Sequence, residues 1–221
     1  TGLLDSGGRF DPAAGASGSW TPTSAGPNVP GARRAHSAVW TGDEMVVWGG
    51  DAQALLGTGG RYRPATDAWT GTSNQPSAPA PRDRHTAIWT GREMIVWGGK
   101  SSTLFGTGGR YDPAADSWRN LSTSGDPSAR EGHVAVWDGS RMIIYGGQGI
   151  SGPVSAGAFY DAAADAWSSM TTTGAPSARR GRPAVWTGHE MLIWGGLSGS
   201  TYTNETYSYT PPRTVYLYLK P

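Results

Sequence analysis

The chain has 221 residues, enough for one large all-β domain or two small ones, and a formal net charge of +1 with no block of like charges. The electrostatic footprint of a nucleic-acid or anionic-lipid partner is missing, and neither partner is expected. With 34 glycines, 16 prolines, 11 tryptophans and 9 tyrosines, it joins many turns to core-forming mass, unlike a disordered low-complexity tract. No run approaches the roughly 18 apolar residues of a membrane helix. The lack of cysteine excludes disulfides, thiolate zinc sites and a cysteine nucleophile. It leaves the compartment undetermined, with a secreted or periplasmic protein the favoured expectation.

The chain opens in mid-pattern at Gly2-Leu3-Leu4-Asp5, which reads as a processed or incomplete N-terminus. Gly7-Gly8-Arg9-Phe10-Asp11-Pro12 and Trp20 follow, matching only the outer half of a unit that is repeated downstream. That unit recurs every 48 or 49 residues, and its first aromatic stands at Trp40, Trp89, Trp137 and Trp186. A second aromatic comes eight residues later, at Trp48, Trp97, Tyr145 and Trp194, each followed by two glycines. Between the aromatics lies a glycine-containing turn flanked by alternating apolar residues, the signature of a β-hairpin.

A tyrosine follows each glycine pair, at Tyr62, Tyr111, Tyr160 and Tyr209, with another aromatic seven residues on, at Trp69, Trp118, Trp167 and Tyr216. This second hairpin turns at segments such as Asp112-Pro113-Ala114-Ala115-Asp116, where proline presets a turn angle and aspartate bonds its own backbone. Four strands per unit and no helical periodicity describe a blade of a β-propeller.

These residues resemble the kelch repeat of the bacterial-type, galactose-oxidase-like propellers: a hydrophobic strand ending in a glycine pair, then a spaced tyrosine and tryptophan. The resemblance covers nearly the whole chain. It implies an all-β, kelch-type β-propeller with blades around a central channel, and it absorbs all eleven tryptophans into repeat positions. The copper-oxidase members of the wider family depend on a cysteine-modified tyrosine, which a chain without cysteine excludes.

On this reading residues 1–221 form one domain, with a half blade at 1–21 and four complete four-stranded blades at about 33–70, 82–119, 130–168 and 179–220. That makes about five blade positions. The last blade draws its outer strand from Thr214-Val215-Tyr216-Leu217-Tyr218-Leu219. A closed five-blade-like ring with an incomplete first member is the favoured arrangement, because soluble proteins avoid bare sheet edges. A partner chain completing the ring as a homo-oligomer is the alternative.

Seven residues before the first tryptophan every blade carries an arginine, Arg33, Arg82, Arg130 and Arg179. The resemblance places these four at the channel mouth, either as scaffold or as a fork for an anion or carboxylate. The next column alternates in sign through Arg34, Asp83, Glu131 and Arg180. Three histidines share a column, His36, His85 and His133, with Arg182 in the fourth copy. Copies in different blades lie too far apart for one ion, since ligand bonds are about 2 Å, so no metal and no cofactor is expected.

The loops after the glycine pairs vary most, and Leu55, Leu56, Leu104, Phe105 and Tyr202 are candidates for an apolar rim. Two short patterns carry little. Asn120-Leu121-Ser122 and Asn204-Glu205-Thr206 match a glycosylation sequon by common chance, and Gly57-Thr58-Gly59-Gly60 is expected as a turn. The favoured function is a non-enzymatic binding scaffold presenting loops and arginines to a protein or glycan ligand. The alternative is a carbohydrate-active enzyme, an epimerase, lyase or hydrolase, drawing acid–base groups from Asp83, Glu131, His85 and His133.

Overall fold

The computed structural model describes residues 2–181 and 183–212. Among them there is no helix, and the strands follow one another as antiparallel hairpins. Strands β1 (Gly8–Asp11) and β2 (Ser19–Pro22) form a two-stranded sheet. β3 (Ser37–Trp40), β4 (Met45–Trp48), β5 (Gly59–Arg63) and β6 (Ala68–Gly71) form the first four-stranded sheet. β7 (Thr86–Trp89), β8 (Met94–Trp97), β9 (Gly108–Asp112) and β10 (Ser117–Asn120) form the second.

In the third repeat a small three-stranded sheet is added. β11 (Arg130–Glu131) precedes β12 (Val134–Trp137) and β13 (Arg141–Tyr145), and β14 (Gln148–Gly149) and β15 (Gly152–Pro153) follow them. β16 (Gly157–Asp161) and β17 (Ala166–Ser169) then complete the main sheet β12-β13-β16-β17, while β11-β14-β15 pair among themselves. The last described sheet holds β18 (Ala184–Trp186), β19 (Met191–Ser198) and β20 (Thr201–Tyr209). The strand expected at Thr214–Leu219, Tyr216 included, and Arg182 lie outside the described residues.

The turns use the residues that their geometry requires. In the inner hairpins Thr41 Oγ1 accepts from the Asp43 and Glu44 amides, and Thr90 Oγ1 from those of Arg92 and Glu93. In the outer hairpins Asp112 Oδ1 accepts from Ala114 N and Ala115 N. The closing aspartates Asp67, Asp116 and Asp165 have positive φ and accept the phenol protons of Tyr62, Tyr111 and Tyr160. Aspartate tolerates this left-handed backbone better than most residues, and burial together with the aspartate bond raises the pKa of Tyr111 and Tyr160 above the ordinary phenol value.

Gly59 and Gly60 begin β5 rather than forming the turn expected of them. A Cβ on Gly59 would lie 2.1 Å from Val47 O, so glycine is there for close approach of β4.

The sheets stand side by side through their first strands, β3 against β7, β7 against β12 and β12 against β18. That sequence of contacts fans the sheets about an axis, which is the propeller arrangement. Alternate residues of each second strand face opposite neighbours. Val46 and Trp48 pack on Met94, Val96, Tyr111 and Trp118, and Ile95 and Trp97 pack on Met142, Ile144, Tyr160 and Trp167. The indole pairs Trp48–Trp118 and Trp97–Trp167 have ring centroids 5.3 and 5.4 Å apart. This period of two on a sheet buried on both faces explains why the second strands are continuously apolar.

Candidate functional site

The arginine column is part of the inner wall. Arg82, Arg130 and Arg179 are 1 to 2% exposed. Arg82 donates from Nε to Ala80 O, and from Nη1 to Gly98 O and Thr107 O at 3.0 and 2.7 Å. Arg130 repeats this toward Gly146 O and Ala156 O, and Arg33 toward Gly49 O and Thr58 O. Arg179 reaches Gly195 O, Thr203 Oγ1 and the Glu205 carboxylate, the last at 2.8 Å. A guanidinium has several donors in a fixed fork and matches paired carbonyls well. These carbonyls lie where the glycine pair leaves the second strand, so each arginine ties its own loop in place.

The expectation set all four guanidinium groups at the channel mouth, whereas three are turned into the protein and face backbone. Burial lowers the pKa of Arg82 to about 10 and pulls Arg33 and Arg130 down as well, and a value near 10 keeps Arg82 charged at neutral pH. Phe105 stacks 4.1 Å from the Arg82 guanidinium. That candidate rim residue is half-buried as a lid on its own arginine, and Leu55 is half-buried in a bridge to Asp51.

Histidines join neighbouring sheets. His85 Nε2 meets Ser37 Oγ at 2.8 Å and His133 Nε2 meets Thr86 Oγ1 at 2.7 Å, each across a sheet boundary. Their rings stand edge-on to Trp48 and Trp97. Burial first, then the nearby Arg82 and His36 charges, depress the His85 pKa to about 3. His36, the first of the column, is exposed.

The next column reaches open space. Asp83 and Glu131 are 9% and 8% exposed, but Glu131 lines an open pocket of about 400 Å³ with Arg84, Gln148, Arg180, Leu197 and Tyr202. Arg84 Nη1 lies 3.3 Å from both Glu131 oxygens, and Lys100 Nζ lies 3.4 Å from Oε2. Arg84 also approaches Asp83, at 3.7 Å. Arg34 is held away from this pocket by Asp51, at 2.7 Å. Arg180 makes no ion pair among the described residues, and Tyr202 is 83% exposed. Neither His85 nor His133 lines the pocket, so the four acid–base candidates are not brought together around one space.

Sequence reasoning passed over Arg84, although a signal was there. Its column reads Ala35, Arg84, Gly132, Gly181, and all four have positive φ, Arg84 at 51° and Gly132 at 60°. A large charged residue thus sits where two other copies use glycine, in a backbone region that costs a non-glycine residue about 1 to 2 kcal/mol.

Residues 107–216 match the family model described as the KLHDC2/KLHL20/DRC7 Kelch-repeats domain. Among curated proteins none matches the chain.

Proposed function

The chain belongs to the kelch-repeat family, and from that premise we propose that it is a protein-interaction scaffold whose binding site is the pocket at Arg84, Arg180 and Tyr202. In this reading the sheets act as one domain of about five blade positions and contribute rigid positioning rather than chemistry. The partner contributes an acidic, extended segment. Arg84 and Arg180 outnumber the one carboxylate, Glu131, in the pocket lining, so the local field favours a negatively charged ligand over a neutral glycan. Tyr202 offers a rigid aromatic surface beside the cations, the residue type enriched at interface hot spots.

The observation that carries this reading is Arg84. Its positive-φ backbone carries a half-exposed guanidinium that pairs with Glu131 and Asp83 at the pocket, where two sibling copies have glycine and one has alanine. A large charged side chain kept at such a backbone position beside a pocket supports a functional reading. The test is titration of a labelled oligo-glutamate peptide at low and physiological salt. Binding is expected to weaken as salt rises, since screening sets in over about 8 Å at 0.15 M. Arg84→Gly and Arg180→Glu are each expected to weaken it further while the fold persists. Unchanged affinity in both variants overturns the assignment.

A further inference from the structure

The residues just before each first strand carry a series of bonds from one repeat to the next. Ala35, Arg84, Gly132 and Gly181 occupy the same place in successive repeats and share a left-handed backbone, with φ of 52°, 51°, 60° and 64°. Arg84 N donates to Ala35 O at 3.4 Å, which ties the second repeat to the first. Gly132 N donates to Arg84 O at 3.1 Å and ties the third to the second. The next bond of the series runs from Gly181 N to Gly132 O, and among the described residues it is not made. Gly132 is half-buried, Gly181 is exposed, and both line the pocket that holds Arg84 and Arg180. One main-chain acceptor and one main-chain donor are thus presented at the anion site, neither of them bonded to a described residue.

The walls of this pocket are strand additions that the first two repeats lack. The small sheet β11-β14-β15 contributes Gln148, and the extended ends of β19 and β20 contribute the cross-strand pair Leu197 and Tyr202. The corresponding loops of the first two repeats make only isolated bridges, Asp51 with Leu55 and Lys100 with Leu104. A cleft between two hairpins, with main-chain groups in its lining, suits a chain in extended form, because an extended residue turns its own N–H and C=O to the same side. Side chains along such a chain stand off to alternate faces, which leaves a carboxylate free to meet the arginines. Arg84 contacts Glu131 through Nη1 alone, and its Nη2 bonds no described residue.

We propose that the pocket reads the main chain of its partner, an inference that rests on the acidic, extended segment assigned to this site above. One residue of that segment donates its N–H to Gly132 O and accepts from Gly181 N, so the partner's backbone supplies the link between the third and fourth repeats that the chain itself does not make. The arginines select charge. The Gly132 and Gly181 groups select a peptide over other polyanions, since a polycarboxylate without amides has no N–H to offer. Main-chain bonds supply affinity in strand-type recognition, and side-chain contacts such as those to Arg84 and Arg180 supply specificity.

The probes are labelled hexaglutamate and a labelled hexamer in which ester oxygens replace the internal amide N–H groups, with carboxylates and chain length unchanged. Each is titrated into the full chain by fluorescence anisotropy. The ester hexamer is expected to bind about tenfold more weakly, the effect of one lost bond whose acceptor stays unpaired. Nuclear magnetic resonance gives a second readout. Hexaglutamate is expected to slow solvent exchange of the Gly181 amide, while the Gly139 amide, beyond the far end of β12, keeps its rate. Arg84→Gly is expected to weaken both hexamers by a similar factor, so that their ratio persists. Equal affinity of the two hexamers, an unprotected Gly181 amide, or binding of neither overturns the proposal. Equal affinities that Arg84→Gly still lowers discard the main-chain contact and keep the charged site. An ester penalty in a pair of affinities that Arg84→Gly does not change keeps the main-chain contact and discards the role of the arginine.

Discussion

His85 Nε2 lies 2.8 Å from Ser37 Oγ across the boundary between the first and second sheets, and burial holds its imidazole neutral with a pKa near 3. An ordinary histidine titrates near 6.5. Below that value the unfolded chain binds a proton that the folded one does not, so stability rises with pH in this window. We expect the contribution to be complete above about pH 6.5 and to be lost progressively as pH falls toward 3. The slope is at most about 1.4 kcal/mol per pH unit. Thermal unfolding from pH 7 to pH 4 is expected to show this decline, and His85→Gln to flatten it. A slope unchanged in His85→Gln assigns the decline elsewhere.

Gly99 has φ +88°, and a Cβ there would meet Asp83 O at 2.5 Å; Gly91 has φ +93° with open space around it. Both alanine substitutions incur the backbone penalty, about 1 kcal/mol. Only Gly99→Ala also pushes its loop off the backbone of Asp83. Urea unfolding is expected to show Gly99→Ala as the costlier of the two by about 1 kcal/mol or more.

Arg130 and Arg180 lie in adjacent positions of their repeats with opposite surroundings. Arg130→Ala leaves the carbonyls of Gly146 and Ala156 without their donor and is expected to cost about 2 to 4 kcal/mol. Arg180→Ala is exposed and is expected to change stability by no more than about 0.5 kcal/mol. Differential scanning calorimetry distinguishes them, and equal losses contradict the division into wall and site.

Trp97 is fully buried and Trp194, its counterpart in the last repeat, is 56% exposed. Trp97→Ala is expected to cost about 3 to 5 kcal/mol through the cavity it leaves. Trp194→Ala is expected to cost much less, because only about half of its area is removed from water. Chemical denaturation of the two variants measures the difference.

Much of the fold was legible in the sequence because it rests on local rules. The period of the aromatic–glycine unit, the alternation of apolar residues and the turn chemistry of Asp112 or Thr90 act over a few residues, and they specify hairpins and their number of strands. The site was legible only in part. Arg33, Arg82, Arg130 and Arg179 are chemically identical in sequence to a ligand-binding ring. Their partners turn out to be carbonyls such as Gly98 O and Thr107 O, which come close only once the second and third strands pair.

What the sequence determined by itself was therefore the repeating unit and the identity of each column. What only the tertiary structure decided was which columns face a neighbouring sheet, which face solvent and which, like Arg84, reach the pocket. The physical reason is that burial and charge environment are properties of stacked sheets, set by residues a whole repeat apart. Hairpin formation, by contrast, is set by residues within one turn of each other.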